Sequence, residues 1–210
     1  MKDAPYLLAK TSSRLICRTL WRIRASGAGN IPASGPAVLL ANHASYIDPF
    51  FLGVCMNRPV RFMEWDALFS VPGVGLASRM FGSFPVNQEK PDRSALRKAG
   101  ALLSSGEIVG VFPEGSRTID GLIHNMASGG VRIAMRSGAP IVPASIAGSE
   151  RVWQKGRILF RPGPKILVRF HEPLAPPQDR AQIPVFLEKL REIINSSVME
   201  MESEIRVRGL

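Results

Sequence analysis

A chain of 210 residues has room for one ordinary domain with a short appendage, and not for two full-sized ones. Its 45% hydrophobic and 21% charged residues exclude disorder as the main state, and 19 Gly and 17 Pro scattered without period exclude a long coiled coil. The excess of 27 Lys and Arg over 17 Asp and Glu gives a net charge of +10, which draws anions without saying whether they are nucleic acids, lipid headgroups or acidic proteins.

In chain order, residues 6–24 carry Lys10, Arg14, Arg18 and Arg22 four apart, which stacks four cations on one helix face, with Leu8, Ile16, Leu20 and Ile23 roughly opposite. Two readings stand: a basic amphipathic helix at a membrane surface, or a surface helix with a solvated cationic face. Lys10, Arg14 and Arg18 break the apolar run that a secretory signal needs, and no run of 18 apolar residues predicts an ordinary membrane-spanning helix. Cys17 and Cys55 are too few for a disulfide framework, so a reducing compartment is expected. The division expected is a helical appendage over 1–26 and a domain over 27–210.

Beyond Gly27, short apolar runs alternate with helical stretches. Strands are predicted at 37–42, 60–65, 83–86, 108–113 and 141–146, and a hairpin at 157–160 and 165–170. Helices are predicted at 92–105 behind an Asp92 cap, at 129–138 ending on Gly138, and at 184–206, where Leu187, Leu190, Ile194, Val198, Met201 and Ile205 recur at helical spacing. The alternation implies an α/β domain with a central mixed, mostly buried sheet flanked by helices.

Two strand ends carry chemistry. After the first apolar strand comes NHASYIDPF (42–50), where Asp48 lies five residues beyond His43, near enough to bond one imidazole nitrogen and turn the other toward a substrate. That is a base and its orienter without a protein nucleophile, so the substrate's own hydroxyl would attack. The plainer reading is a core histidine and a helix-capping aspartate. After the strand at 108–113 comes Glu114-Gly115-Ser116-Arg117, a turn whose guanidinium and exposed amides suit a phosphate monoester, with hydroxyls from Ser116 and Thr118. Here the plainer reading is a surface Arg–Glu pair. No metal site is expected, because His124, His171 and the cysteines lack zinc-like spacing.

Together, Asn42-His43 with Asp48, Phe112 to Arg117, and Ile141-Val142-Pro143, in that order, resemble the glycerolipid acyltransferase family, best known for its 1-acylglycerol-3-phosphate (lysophosphatidic acid) acyltransferases. The resemblance spans about residues 25–150. It implies a glycerol-3-phosphate acyltransferase-like fold, with His43 deprotonating the acceptor hydroxyl and Asp48 orienting it. It further implies that Glu114, Gly115, Ser116 and Arg117 bind the glycerol phosphate, that Val142 and Pro143 line the acyl-donor region, and that Asn42, Ser45 and Arg93 also bind substrate. The expected partners are a lysophospholipid, an anionic membrane surface at the cytoplasmic face, and acyl-coenzyme A or an acidic acyl carrier protein as co-substrate. No other cofactor and no nucleic acid are expected.

The sequence departs from the family pattern at two places. Where relatives place a phosphate-contacting arginine after the third strand, this chain has Gln88, with Lys90 or Arg93 nearby to supply the charge; before the helix at 129, HNMAS replaces a frequent lysine. Losing one ionic hydrogen bond costs about 1.5–3 kcal/mol, or about tenfold to a hundredfold in acceptor affinity. A different lysolipid acceptor, or a non-catalytic lipid-binding protein at a membrane surface, are the alternatives. The apolar segment 69–84 either lines an acyl chain or the bilayer, or packs in the core.

Overall fold

The computed structural model describes residues 13–71, 74–87, 92–153 and 161–207. In chain order the main elements are α1 (13–20), β1 (Arg24–Ser26), β2 (Ala37–Ala41), α2 (Asp48–Cys55), β3 (Val60–Trp65), α3 (Val74–Met80) and β4 (Phe84–Val86). There follow α4 (Arg93–Ser104), β5 (Ile108–Val111), α5 (Gly129–Ser137), β6 (Ile141–Ala147), β7 (Leu167–Phe170) and α6 (Ile183–Val207). The strands form one sheet in the order β1-β7-β6-β2-β5-β3-β4, with every neighbouring pair parallel except β6 with β7.

A parallel sheet is covered on both faces, which is why β2 and β6 are apolar and buried along their whole length. Leu39 and Ala41 face Phe51, Leu52 and Val54 of α2 together with Cys17 and Trp21, whereas Val38 and Leu40 face α4, α5 and the start of α6. The rest of α6 lays Ile194, Val198, Met201 and Ile205 against Leu167, Ala147 and Ile123. Pro143 is tolerated in β6 because β7 pairs antiparallel only from Ala144, opposite Phe170; beyond that point His171 N–H donates to the Pro143 carbonyl and no return bond is needed. Both outer strands, β1 and β4, have only three residues.

The helices end for local reasons. Asp92 caps α4, accepting from the Ser94 hydroxyl and from the N–H groups of Asn87, Ser94 and Ala95, which together hold its carboxyl well below the usual range. Gly138 stops α5 in the left-handed conformation.

The N-terminal helix differs from its expected form. It stops at residue 20, Arg22 takes a positive φ, and Arg24–Ser26 form a strand beside β7. The basic stripe is also divided: Arg14 donates to the carbonyls of Val54, Cys55 and Met56, neutralising the C-terminal end of α2. The buried side chains of α1 and its exit are Cys17, Trp21 and Ile23, while Leu15, Ile16 and Leu20 are exposed. Leu8 and Lys10 lie outside the described residues, as does the first half of the expected hairpin. Segment 69–84 is divided: Leu76 and Met80 are 62% and 75% exposed and Val71 and Phe81 are also exposed, whereas Phe84 is buried in the core against α4. No helix among the described residues is long and apolar enough to cross a membrane.

Candidate active site

β2 and β5 are neighbouring parallel strands, with Leu40 opposite Val111, so the segments leaving their carboxyl ends meet. The chain from β2 turns to the α2 face and the chain from β5 to the α5 face, a topological switch point at which α/β sheets open a crevice. His43 emerges from β2 and Glu114 from β5, and the His43 N–H donates to Glu114 Oε2 at 2.9 Å. The His43 carbonyl in turn accepts from the Thr118 N–H at 2.9 Å, so the two loops are knit through backbone on both sides of the histidine.

Asp48, the first residue of α2, is wholly buried. Its Oδ2 accepts from His43 Nδ1 at 2.9 Å and from the N–H groups of Ala44 and Ser45, both at 2.8 Å. A carboxylate only accepts, which assigns the ring proton to Nδ1 and leaves Nε2 as the acceptor. The imidazole, with its side chain 15% exposed, stacks on Phe112 at 4.1 Å between ring centres, and Phe112 stacks on Phe62 at 5.2 Å. Gly110 makes room for that stack, since a Cβ there would stand 2.4 Å from Phe62.

Glu114 and Arg117 are half-buried on the turn after β5, where Gly115 takes φ +69 with open space around it, so backbone conformation and not crowding requires the glycine. Burial, reinforced by Asp48 and Asp120, pushes the Glu114 carboxyl up to about 9 against the opposing His43 N–H bond. The Arg117 guanidinium lies 3.6 Å above the centre of the Tyr46 ring, and Tyr46 in turn contacts Trp153. Burial lowers the Arg117 pKa, against attraction from Tyr46 and Asp48. Asp48 Oδ1, Glu114 Oε1 and Arg117 Nε are buried with no hydrogen-bond partner, a costly arrangement that polar ligand atoms would relieve.

The remaining expected residues are distributed differently. Asn42 is a buried clamp: its amide nitrogen donates to the carbonyls of Gly121 and Ile146, both at 2.8 Å, and its oxygen accepts from the Ile146 N–H. Ser45 is buried and donates to the Trp153 carbonyl. Ser116 is exposed beside Arg117. Val142 and Pro143 are buried inside β6, paired with Leu39 and Leu40 in the strand layer beneath His43. Arg93 is exposed at the start of α4, and Gln88 and Lys90 lie outside the described residues. Tyr46 and Phe112 are additional site residues; both stand within the quoted motifs, but a ring's role as a platform is visible only once the two loops are brought together.

Comparison with known proteins finds relatives along most of this chain. The sequence signature of the acyltransferase family matches residues 22–147. The 1-acyl-sn-glycerol-3-phosphate acyltransferase of Bacillus subtilis is 32% identical over 84% of this chain and 86% of its own length. The chloroplastic 1-acyl-sn-glycerol-3-phosphate acyltransferase LPAT1 of Arabidopsis thaliana is 27% identical over 80% of this chain, which spans about half (48%) of that protein. Among solved structures, the 1-acyl-sn-glycerophosphate (LPA) acyltransferase PlsC from Thermotoga maritima superposes with a TM-score of 0.72 at 29% identity, over 86% of this chain and 72% of the other. With the His43 and Glu114 segments meeting at the carboxyl ends of two central strands and a family match over most of its length, the chain belongs to the acyltransferase family.

Proposed function

We propose that this O-acyltransferase moves a fatty acyl group from a thioester to the free hydroxyl of a lysophospholipid, 1-acylglycerol-3-phosphate, giving phosphatidic acid at a membrane surface. The observation that carries the reading is the His43–Asp48 pair, whose Nε2 is left to take a hydroxyl proton, with no serine or cysteine bonded to His43 among the described residues. The other serine–histidine pair, Ser145 with His171, is closed off: the Ser145 hydroxyl is buried and also bonds the Ile194 carbonyl.

In this mechanism His43 Nε2 removes the acceptor's hydroxyl proton as the oxygen attacks the thioester carbonyl. The tetrahedral intermediate collapses by breaking the carbon–sulfur bond, and the thiolate leaves with the proton held by His43. No acyl-enzyme forms. Arg117, flattened on Tyr46, presents its guanidinium to the acceptor phosphate, and the protonated Glu114 carboxyl offers a donor where an ionised one would repel that phosphate. The exposed apolar side chains Leu15, Ile16 and Leu20 of α1 support peripheral attachment to the bilayer that holds acceptor and product.

The test is acyl transfer by purified protein in detergent micelles containing lysophosphatidic acid, with acyl-coenzyme A or an acylated carrier protein as donor. Product formed by the wild type and lost in His43→Ala is the expected result. Turnover of other lysolipids but not this one would replace the acceptor, and vesicle binding without turnover of any lysolipid would remove the enzyme reading.

A further inference from the structure

We infer that the outer face of α4 and α5 is the docking surface for a small acidic carrier protein that bears the acyl group as a thioester; this rests on the acyl-transfer reading and names its donor. Arg93, Arg97 and Lys98 of α4 and Arg132 and Arg136 of α5 are all exposed, neither helix contains an acidic residue, and among the described residues none of the five cations is in an ion pair. Among the described residues, the acids flanking α4 are engaged elsewhere: Asp92 in its cap, and Glu107 with Arg61. On α5, Arg132 and Arg136 stand one turn apart opposite buried Gly130, Val131, Ile133 and Ala134, so both point away from the sheet.

Position directs this charge toward the chemistry. α4 starts beyond the carboxyl end of β4 and α5 beyond that of β5, strands that run in the direction of β2. Both helices therefore begin at the sheet edge from which His43 projects, and four of the five cations lie in the first half of their helix. A polyanion held there has its acyl thioester next to the crevice.

The chemistry of the face selects a protein over the other anions. A bilayer contact combines cations with inserted apolar side chains, yet Leu96 is the one large apolar side chain exposed on α4 and α5. The exposed apolar residues of α1, and Phe81 against Phe50 of α2, lie on the opposite face of the sheet. A bilayer meeting that side leaves α4 and α5 turned to solvent. The cations occupy two packed helices, about 8 Å along α4 from Arg93 to Lys98 and about 6 Å along α5 from Arg132 to Arg136, a face broader than the phosphates of a single nucleotide.

The experiment compares the full chain with Arg97→Glu/Arg136→Glu and Arg97→Gln/Arg136→Gln, each checked for an unchanged thermal melt. Transfer to lysophosphatidic acid is measured from a palmitoylated acidic carrier protein and from palmitoyl-coenzyme A. Carrier binding is followed directly by fluorescence anisotropy at several salt concentrations. The expected result is a loss of about tenfold or more in kcat/KM with the carrier-borne donor for the Glu variant, a smaller loss for the Gln variant, and unchanged kinetics with palmitoyl-coenzyme A. Equal losses with both donors, no loss with the carrier, or loss of binding to anionic vesicles in place of carrier binding would each overturn the proposal. If the wild type transfers from neither donor, the acyl-transfer reading fails, while salt-sensitive carrier binding abolished in the Glu variant still upholds the docking face.

Discussion

Two buried polar clusters lie at different places on this sheet, and they are finished differently. Beneath the last turns of α6, ionic groups are matched: Arg151 bridges Glu150 and Glu202, Glu202 also accepts from the Gly148 N–H, and Lys165, 1% exposed, reaches Glu204 at 3.3 Å. At the carboxyl ends of β2 and β5, Asp48, Glu114 and Arg117 each keep a buried polar atom unpaired, and burial raises the Glu114 carboxyl with no cation bonded to it. Burial also raises Glu150, but Arg151 opposes the shift. Under α6 the charged groups are paired and an unpaired buried atom there, Ser149 Oγ, is a neutral hydroxyl, whereas at the strand ends it is the charged groups that are left open, as a site that receives a polar ligand requires.

The contrast sharpens by substitution. His43→Ala is expected to cost about 10²–10⁴-fold in kcat, with Asp48→Asn in the same direction because the tautomer is no longer fixed; steady-state transfer kinetics check both. Arg117→Ala should raise the KM for a phosphate-bearing acceptor by about tenfold to a hundredfold while leaving thermal stability nearly unchanged. Glu114→Gln tests protonation. With the folded carboxyl at about 9, above an unfolded value near 4.5, its stabilising contribution is complete below 4.5 and is lost as pH rises toward 9. The wild type should therefore lose stability relative to Glu114→Gln across that window, by up to about 1.4 kcal/mol per pH unit, read from denaturant melts at pH 5, 7 and 9. Tyr46→Leu removes about 0.5–2 kcal/mol of ring–cation attraction and should raise the acceptor KM several-fold, with Tyr46→Phe close to wild type. In the matched cluster, Lys165→Met should leave turnover intact and move stability by about 1 kcal/mol or less, because Met keeps the buried stem and Glu204, 35% exposed, already meets water.

The fold was legible wherever burial imposes a pattern. β2, β5 and β6 announce themselves as mainly apolar runs because both faces of a parallel sheet are covered, and of the six apolar positions spaced along α6, Leu190, Ile194, Val198, Met201 and Ile205 are buried and Leu187 is partly buried. β1 was not legible: Arg-Ala-Ser is polar and exposed, and its strand form comes entirely from pairing with β7. α1 was legible in part for a related reason. Periodicity sets Ile16 and Leu20 apart as an apolar face, and they are exposed, but it does not show that the side turned to α2 is Cys17 and Trp21, or that Arg14 leaves the basic stripe for the carbonyls of α2. At the site, the pairing of His43 with Asp48 followed from a five-residue spacing. The stack of Arg117 on Tyr46 joins residues 71 apart and needed the register of β2 with β5.

The three-residue outer strands have a consequence for life at high local concentration. β1 offers an arginine and β4 a proline, each along a run too short to template a foreign strand, so a hydrophobic seven-stranded sheet ends at both sides without an adhesive border. Crowded copies of this protein find only three residues of strand to pair with at either side of the sheet.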